Sequence, residues 1–516
     1  IMTLSQWFIF FIIVQLVHFI GTWKLYVSAG RKSWEAAIPV YNAIVLLKII
    51  GRPTWWTVLL FLPIINLIIF PVIWVETLSC FGKNTTKDKV LAVATFGLYI
   101  AYVNYTQKLN YVADRSNEPV NKTADTISSL LFAIVVATFV HTYFIQPFTI
   151  PTSSLEKSLL VGDFLFVSKV NYGARTPMTT VALPMVHDTI PLTKKKSYLT
   201  WPELPYFRLP GFQNIERNDI VVFNWPIDTV YKFRDQSGLR VDKPIDKKSN
   251  YVKRCVGVPG DQLEIKDGII FVNGKELILP ERARPQFSYK IALDGKTPID
   301  FEYLLNDMDI TDGAGFMDAE KRDTLFIAAL TATNAERLQH FPGITGVQKI
   351  ISKEVEPGIF PHINKWNRDN FGPIYIPQQG KTVPLNLETL PFYKAIITDY
   401  EKNILQVTGS EIRINGKIAT SYTFQQNYYW MMGDNRHNSE DSRYWGYVPE
   451  NHVVGKPTFI WMSYDSNGKG LKKIRWDRLF TTVSGEGQPQ SYFKFFLFAL
   501  VAYFIGEYFW KKKKSV

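Results

Sequence analysis

Residues 126–147 read TISSLLFAIVVATFVHTYFIQP, and the chain continues directly into FTIPTSSL at residues 148–155. The first stretch contains no Lys, Arg, Asp or Glu. A helix needs about 20 mostly apolar residues to cross a bilayer, so we predict a transmembrane anchor at 126–147. The polar sequence begins where this anchor ends, which places Ser154 at the bilayer surface.

Further apolar stretches lie on both sides of this anchor. Ile1–Trp23 is uncharged and lacks the basic start of a cleavable signal sequence, which indicates a retained helix. Thr54–Val75 and the weaker Val90–Gln107 predict two more spans, and 491–510 predicts a C-terminal one. Ala36–Leu47 is too short to span comfortably and is interpreted as an interfacial or re-entrant segment. The sequence thus predicts five spans.

The long polar region has the pattern of a β domain. Asp219–Phe223 is typical of a buried strand, and Asp267-Gly268, Asn273-Gly274 and Asn415-Gly416 are strong hairpin signals. The character of the sequence changes at about 285–395, and this stretch is interpreted as an inserted lobe. Within it, Tyr303–Leu338 is more acidic and contains a helical pattern at 319–339. The predicted fold is a multi-span α-helical membrane anchor plus a mostly antiparallel β domain with an inserted lobe. The predicted organisation is an N-terminal transmembrane region at 1–107, the anchor at 126–147, the β domain at 148–284 and 396–485, the lobe at 285–395, and a last helix at 491–510.

The charge of the chain indicates a membrane partner rather than nucleic acid. The formal net charge is +12, and the run Lys511–Lys514 follows the last apolar stretch directly. No zinc-finger, RRM or helix-turn-helix signature occurs. Lysine and arginine favour the cytoplasmic side of short loops, so an outside N-terminus with five spans places residues 149–490 on the outer face. The basic residues that then lie in the cytoplasm, apart from the terminal run, are Lys24, Arg31, Lys32, Lys48, Arg52, Lys108, Arg115 and Lys122. Those that contradict the scheme are Lys83, Lys87 and Lys89.

Cysteine and histidine usage predicts neither a disulfide framework nor a metal site. The two cysteines, Cys80 and Cys255, lie in unlike parts of the chain and are interpreted as small buried residues. The seven histidines show no paired metal-ligand spacing. We therefore expect no cofactor.

Three segments of the polar region could carry chemistry. They are FTIPTSSL (148–155) followed by LVGDF (160–164), YVKRCVGVPGD (251–261) and MGDNRHNSEDSRYWG (432–446). A serine hydroxyl needs a base to act as a nucleophile. A lysine with a pKa of about 10.4 is protonated at neutral pH, but burial among apolar groups such as Val252, Val256 and Val258 can lower that pKa by several units.

At these segments the chain resembles the bacterial type I signal peptidases. The family's segments have the forms P-S-x-S-M, K-R-x-x-G-x-P-G-D and G-D-N-R-x-N-S-x-D-S-R. A fourth, R-G-D-[IV]-V-V-F, is matched loosely by residues 217–223. The resemblance covers roughly 126–280 and 405–465 and leaves out the lobe and the first 107 residues. The departures are Ser153 for glycine, Leu155 for methionine, Lys157 for proline and Asn218 for glycine.

The resemblance implies roles for individual residues. Ser154 is the expected nucleophile and Lys253 the expected general base of a Ser/Lys pair. Thr152 corresponds to a hydroxyl that helps to bind the oxyanion, and Ser439 to one that orients the lysine amine. The expected supporting residues are Asp434, Asp441, Arg254 and Arg443. The family's β-rich fold agrees with the strand pattern described above.

The resemblance also implies a substrate and a location. The expected reaction is removal of leader peptides from exported preproteins by acyl-enzyme chemistry, after small-x-small sites. An extended leader could add as a strand beside Phe148–Pro151, with Phe148, Ile150 and Val252 as candidate binding residues. The expected location is the bacterial plasma (inner) membrane, with the catalytic domain on the periplasmic face. The expected partners are leader peptides and membrane lipid, and the first 107 residues either anchor the enzyme or dock it to the export channel.

Three other functions were weighed against this one. Self-cleaving repressors share a Ser/Lys pair, but they are soluble and carry a helix-turn-helix that is absent here. A non-catalytic membrane protein would be expected to have lost Ser154 or Lys253. A Ser-His-Asp hydrolase would have to use His437, the only histidine in the three segments, which is interpreted as a surface loop residue.

Overall fold

The computed structural model of the chain describes residues 2–113, 122–231, 238–468 and 470–514. Ile1 and Arg115, which belong to the predicted first span and the predicted cytoplasmic loops, lie outside this part. The chain divides into two compact units. The first comprises Ile1–Phe144, Arg175–Leu209 and Thr229–Lys248, and the second comprises Ile145–Ala174, Pro210–Asp228 and Ser249–Val516.

The helices of the first unit lie at its N-terminal end. They are α1 (Leu4–Ser28), α2 (Tyr41–Ile49), α3 (Trp56–Leu59), α4 (Asn66–Cys80), α5 (Thr86–Ala94), α6 (Leu98–Thr106) and α7 (Lys122–Tyr143). Thr3 starts α1 with a capping box, in which its hydroxyl accepts from the Gln6 N–H and the Gln6 side chain accepts from the Thr3 N–H. The helices of the second unit are α8 (Phe301–Asp307), α9 (Ala332–Gln339), α10 (Leu390–Ala395), α11 (Ser442–Trp445) and α12 (Phe493–Lys514).

Three helices of the described residues are long and apolar enough to cross a membrane. They are Leu4–Ser28, Lys122–Tyr143 and Phe493–Lys512. These correspond to the predicted first, fourth and last spans. Apolar residues cover most of their surface, as expected for helices in contact with lipid.

The two other predicted spans, Thr54–Val75 and Val90–Gln107, do not form continuous helices. Pro63 and Ile64, with φ of 71°, separate α3 from α4, and Phe96 and Gly97, with φ of 50° and 83°, separate α5 from α6. A right-handed helix cannot pass through residues with positive φ. The prediction of five spans is therefore not confirmed. The segment predicted to be interfacial contains α2, which is only nine residues long.

The second unit is built on antiparallel strands. Its main sheet has the order β1-β2-β20-β3-β4-β18-β19, with β21 paired to β20. Every ladder between named strands is antiparallel, which confirms the predicted β class. The strands of this sheet are β1 (Ile145–Thr149), β2 (Asp163–Ser168), β3 (Ile220–Asn224), β4 (Asn250–Gly257), β18 (Tyr428–Met432), β19 (Val448–Pro449), β20 (Val453–Ser463) and β21 (Thr481–Thr482).

Smaller sheets contain the predicted hairpins. Asp267 and Gly268 both have positive φ and join β5 to β6, as a type I′ turn requires. Asn273-Gly274 joins β6 to β7, and Asn415-Gly416 joins β15 to β16, in the same way. The strands concerned and their partners are β5 (Gln262–Lys266), β6 (Ile269–Val272), β7 (Lys275–Glu276), β12 (Phe371–Tyr375), β13 (Thr382–Pro384), β14 (Leu405–Thr408), β15 (Glu411–Ile414), β16 (Lys417–Ile418) and β17 (Ser421–Thr423).

Part of the predicted insertion folds around a core of its own. Within residues 286–349, here called the lobe, the element order is β8-α8-β9-β10-α9-β11 and the sheet order is β11-β8-β10-β9. This is the split βαβ arrangement. The lobe strands are β8 (Gln286–Leu293), β9 (Ala314–Phe316), β10 (Thr324–Thr331) and β11 (Ile344–Lys349). The helical pattern predicted at 319–339 holds only for α9, since β-branched and aromatic residues place β10 before it.

The rest of the predicted insertion packs elsewhere. Phe360, Phe371 and Ile374 share a core with Trp430 and Met432 of β18. Both cysteines are buried and free, as predicted. Across the described ranges, no group of three or more His, Cys, Asp or Glu side chains is arranged to hold a metal ion.

Candidate active site

The segment that carries Ser154 follows an edge strand of the main sheet. Strand β1 pairs with β2, and the Ile150 N–H donates to the Asp163 carbonyl (2.9 Å), so the ladder extends one residue further. A short 3₁₀ turn, Ser153–Leu155, then reverses the chain. Leu155 and Leu159 anchor this turn in the core beneath the sheet. Ser154 is consequently held at a fixed place rather than on a free loop.

Lys253 lies in the middle of the same sheet. It is part of β4, between β3 and β18, and it stands opposite Val221 in the register. Its side chain is buried, and Nζ lies 2.5 Å from the Ser154 Oγ. The two residues are 99 positions apart in the sequence, and the fold brings them into direct contact.

Burial changes the acidity of this lysine. Removal from water disfavours the ammonium form and lowers the pKa of Lys253 from 10.5 to about 8. Asp441 and Glu440 oppose this shift electrostatically, and Arg443 adds to it. A substantial fraction of the amine is therefore neutral near pH 8, the form that can accept a proton.

Arg254 and Asp434 form a buried ion pair next to Lys253. Arg254 donates from Nε and Nη2 to the two carboxylate oxygens of Asp434, at 2.8 and 2.6 Å. The Ser158 hydroxyl also donates to Asp434 (2.6 Å). Burial alone would raise the pKa of Asp434, but Arg254 outweighs this effect and the pKa is lowered. The pair connects β4 to residues 432–446, here called the late segment, and to the turn after Ser154.

Asp441 and Arg443 form a second buried pair within the late segment. Arg443 donates from Nε and Nη2 to the Asp441 carboxylate, at 2.9 and 2.8 Å. Asp441 also accepts from the Gly433 N–H (3.0 Å). Burial would raise the pKa of Asp441, but Arg443 and this N–H lower it. The bonds close the loop 433–441 on itself, so its residues face the site in a fixed arrangement.

The two predicted hydroxyls come from different segments, Thr152 from residues 148–164, here called the nucleophile segment, and Ser439 from the late segment. Thr152 precedes the 3₁₀ turn, is half-buried, and makes no capping bond to the turn. Ser439 is buried, and its hydroxyl has no hydrogen-bond partner among the described residues. Gly433 lies close to both this hydroxyl and the Ser154 carbonyl. A Cβ added to Gly433 would lie 2.2 Å from the Ser439 Oγ and 2.5 Å from the Ser154 carbonyl oxygen.

The three candidate substrate residues cluster on the β1 side of the site. Ile150 is a buried member of the core under the sheet, which also contains Leu155. Phe148 and Val252 are half-buried and pack against the same core. The exposed parts of Phe148 and Val252 are thus more accessible to a ligand than Ile150 is.

Some residues that contact the site were not singled out from the sequence. Asn435 donates its backbone N–H to the Ser154 carbonyl (3.0 Å) and its side-chain amide to the Ser153 carbonyl (3.1 Å). Arg436 is buried between the charged groups, and its Nε has no partner in the described part of the chain. Both belong to the late segment, so the segment was found but these roles were not.

His437 is not a surface loop residue, contrary to the prediction. Its side chain is only 6% exposed. Nδ1 accepts from the Ser288 N–H (3.1 Å), and Nε2 donates to Asp369 (2.9 Å). Since both ring nitrogens are engaged, neither is available to activate Ser154. The geometry therefore gives no support to a Ser-His-Asp arrangement.

The site thus contains a buried Ser–Lys contact beside two carboxylate–guanidinium pairs. Comparison with known proteins identifies the family of the chain. Residues 123–324 and 376–462 match the sequence model of the family described as signal peptidase, peptidase S26. The chain belongs to this family. It is accordingly a protease, and its long apolar helices fit a membrane-anchored member.

Individual relatives of the chain carry the name signal peptidase I. That of Buchnera aphidicola subsp. Acyrthosiphon pisum (strain APS) is 24% identical over 385 residues, which cover 73% of this chain and 87% of the relative. That of Haemophilus influenzae is 23% identical over 377 residues, covering 71% and 77%. That of Rickettsia typhi is 29% identical over 165 residues, covering 32% and 49%.

The N-terminal region matches a different family. Residues 34–114 match a family of unknown function, DUF5684. This stretch contains the broken helices α3 to α6. The protein therefore combines a protease of the signal peptidase family with a helical region found in another family.

Proposed function

We propose that this protein removes leader peptides from exported preproteins, with Ser154 as the nucleophile and Lys253 as the general base. The observation that carries the proposal is the buried 2.5 Å contact between Lys253 Nζ and Ser154 Oγ. Membership of the signal peptidase family supports the substrate class. The lowered pKa of Lys253 supports the role of base, because a protonated amine cannot accept the serine proton.

In the proposed first step, Oγ of Ser154 attacks the scissile carbonyl carbon while the neutral Lys253 amine takes the hydroxyl proton. The carbonyl electrons move onto oxygen and form the oxyanion. When the intermediate collapses, the C–N bond breaks and Lys253 returns the proton to the leaving amine. A water molecule, deprotonated by the same amine, then releases the leader from Ser154.

Thr152 and the backbone N–H of Ser154 are the proposed donors to the oxyanion. The Thr152 hydroxyl is adjacent to the turn and is not used to cap it. A preorganised donor of this kind is typically worth about 3 to 4 kcal/mol in the transition state. Thr152→Val keeps the side-chain shape and removes the donor, so this variant measures the contribution directly.

Ser439 is the proposed partner of the Lys253 amine. A buried hydroxyl without a partner is costly, by about 1 to 3 kcal/mol, so it is unusual unless a nearby group uses it. Asp441 and Glu440, the neighbours of Ser439, act electrostatically on Lys253. A bond from Lys253 to the Ser439 oxygen would direct the amine lone pair toward Ser154.

The proposed binding mode is strand addition along β1. This strand is an edge of the main sheet in the described residues, where it pairs only with β2. An extended leader could pair with Phe148–Pro151 and place its small residues against Phe148 and Val252. Small, shallow contacts of this kind would favour the small-x-small sites expected from the sequence.

The proposed location is the bacterial plasma membrane, with the catalytic unit on the periplasmic face. One contact within the first unit bears on this orientation. The Met2 N–H and the Trp7 Nε1–H both donate to the Glu203 carbonyl, at 3.2 and 3.1 Å. Because residue 203 belongs to the polar segment between β2 and β3, these contacts support an N-terminus on the outer side.

The experiment that tests the proposal is cleavage of a leader-bearing precursor by the full chain purified in detergent. We expect the wild type to cut after a small-x-small site, and Ser154→Ala and Lys253→Met to be inactive while folded. His437→Gln is a control inside the late segment, because it keeps polar contacts and is not expected to touch the reacting atoms. A Lys253→Met variant that still cuts would show that the base lies elsewhere.

A further inference from the structure

The lobe reaches the nucleophile segment through the loop between α8 and β9. Two acidic residues of this loop, Asp309 and Asp312, contact the segment or its neighbours. The lobe is a split βαβ body with its own apolar core, and its strand β8 also bonds to the late segment through Gln286 and Ser288. Asp309 and Asp312 therefore link the lobe to the part of the chain that carries Ser154.

Asp312 organises two asparagines of the late segment. A single carboxylate oxygen accepts from the side-chain amides of Asn435 (2.6 Å) and Asn438 (3.0 Å). The same two amides also bond to Ser153, at its carbonyl (3.1 Å) and its hydroxyl (3.0 Å). The two amides thus bond directly to Ser153, the residue that precedes Ser154, and Asp312 is linked to Ser153 through them.

The backbone at Lys157 differs from what the family pattern predicts for this position. This residue has φ of 71°, whereas proline is locked near −65°. The proline that the family pattern has at this position is thus incompatible with the backbone seen here. Lys157 Nζ instead bonds to Asp309 (2.6 Å), which is a contact with the lobe.

The two contacts differ in strength. The Asp309 side chain is 74% exposed, and exposed ion pairs contribute only about 0 to 1 kcal/mol. The Asp312 side chain is half-buried, and one of its oxygens accepts from both asparagines, so these contacts constrain position more tightly. Asp312 is therefore the residue whose loss should move the nucleophile segment.

We infer that the lobe completes the active site, and that Asp312 is a positioning residue that acts through Asn435 and Asn438 to hold Ser153 and thereby Ser154 in line with Lys253. This inference rests on the proposed role of Ser154. The function of the lobe would then be to position Ser154 for the reaction. The physical basis is geometric, since a displacement of about 1 Å at a reacting group can cost about 100-fold in rate.

The test compares Asp312→Ala, Asp312→Asn and Glu336→Ala in the full chain in detergent. Asparagine keeps one side-chain oxygen that can accept from both amides, whereas alanine removes it. Glu336 is an exposed carboxylate on α9 and serves as the matched control in the lobe. The readout is the rate at which p-nitrophenyl acetate acylates Ser154, followed by intact mass, with Ser154→Ala as the blank.

We expect Asp312→Ala to acylate about 30-fold more slowly than the wild type, and the other two variants to stay within about threefold. Thermal unfolding is measured alongside, and Asp312→Ser replaces Asp312→Ala if the latter is not folded at the assay temperature. Acylation of Asp312→Ala, or of this substitute, within about twofold of the wild type would overturn the inference.

Cleavage of a leader-bearing precursor separates this inference from the proposed function. We expect kcat to fall in Asp312→Ala while KM stays within about twofold, because the leader-binding strand β1 is untouched. A rise in KM without a fall in kcat contradicts a positioning role. A wild type that acylates at Ser154 but cuts no precursor contradicts the proposed function, and the acylation rates still decide the role of Asp312.

Discussion

At the scale of single residues, the charge on Lys253 sets the pH range of the proposed chemistry. Its lowered pKa of about 8 makes the neutral amine the minor form at pH 7 and the major form above pH 8. Since only the neutral amine can accept a proton, we expect kcat/KM to rise as the pH rises through about 8. A pH profile of precursor cleavage between about pH 6 and pH 10 measures this limb.

The lowered pKa of Lys253 also makes the free energy of unfolding depend on pH. In the unfolded chain the lysine titrates near 10.5, so between pH 8 and 10.5 the unfolded state binds more protons than the folded one. Stability therefore gains from this group as the pH rises through that window, in the same direction as activity. If kcat/KM instead rose with pH between about 6 and 7, the base would be an ordinary histidine with a pKa of about 6.5.

Single residues were predictable where short segments carry their chemistry. Ser154 and Lys253 stand in recognisable segments. Strand β4, between β3 and β18, places Lys253 in the sheet, and the turn after β1 brings Ser154 to it. Asp312 has no such signal. It lies 158 positions from Ser154 and outside the three segments that carry the resemblance, although the family match at 123–324 includes it, so only the folded arrangement relates the two residues.

At the scale of elements, the end of β18 controls how closely the late segment approaches Ser154. Gly433 follows β18 directly, and a Cβ added there would lie 2.2 Å from Ser439 Oγ and 2.5 Å from the Ser154 carbonyl. We expect Gly433→Ala to separate the two segments and to lower kcat by about 100-fold. Precursor cleavage and thermal unfolding are measured together. A fall in kcat in a variant that is still folded shows that the altered geometry of the site causes the loss of activity.

Gly358→Ala is the matched control for this substitution. An added Cβ at Gly358 meets no atom within 4 Å, and neither glycine has positive φ, so neither alanine is forced into the left-handed region. We expect the control to retain wild-type activity. Equal activity of the two alanine variants would show that the late segment does not need this close approach.

Element prediction succeeded where the signals were local. The Asx-Gly pairs fixed hairpins because both turn residues must take positive φ, which these residue types tolerate. Thr54–Val75 and Val90–Gln107 were predicted as spans from apolar composition alone. Apolar composition does not reveal where a helix breaks. The breaks lie at Ile64 and Phe96, which have positive φ although neither residue type favours it.

At the scale of the whole molecule, the broken helices bear on how often the chain crosses the membrane. Helix α4 has 15 residues and is thus about 22 Å long, short of the roughly 30 Å hydrocarbon core. Helices α5 and α6 have nine residues each. We therefore expect the three long helices to span and the region between α1 and α7 to stay on the cytoplasmic side.

The basic loop between α4 and α5 distinguishes this three-span arrangement from the five-span one. Five spans place Lys83, Lys87 and Lys89 outside, against the cytoplasmic preference of lysine, whereas three spans place them in the cytoplasm. We expect Lys87→Cys to react with a membrane-impermeant maleimide only after permeabilisation. Lys195→Cys, an exposed position in the polar segment between β2 and β3, should react in intact cells, and the buried Cys80 and Cys255 give little background. Because both arrangements keep the N-terminus outside, labelling of Lys87→Cys in intact cells would restore the five-span arrangement without changing the face on which the active site lies.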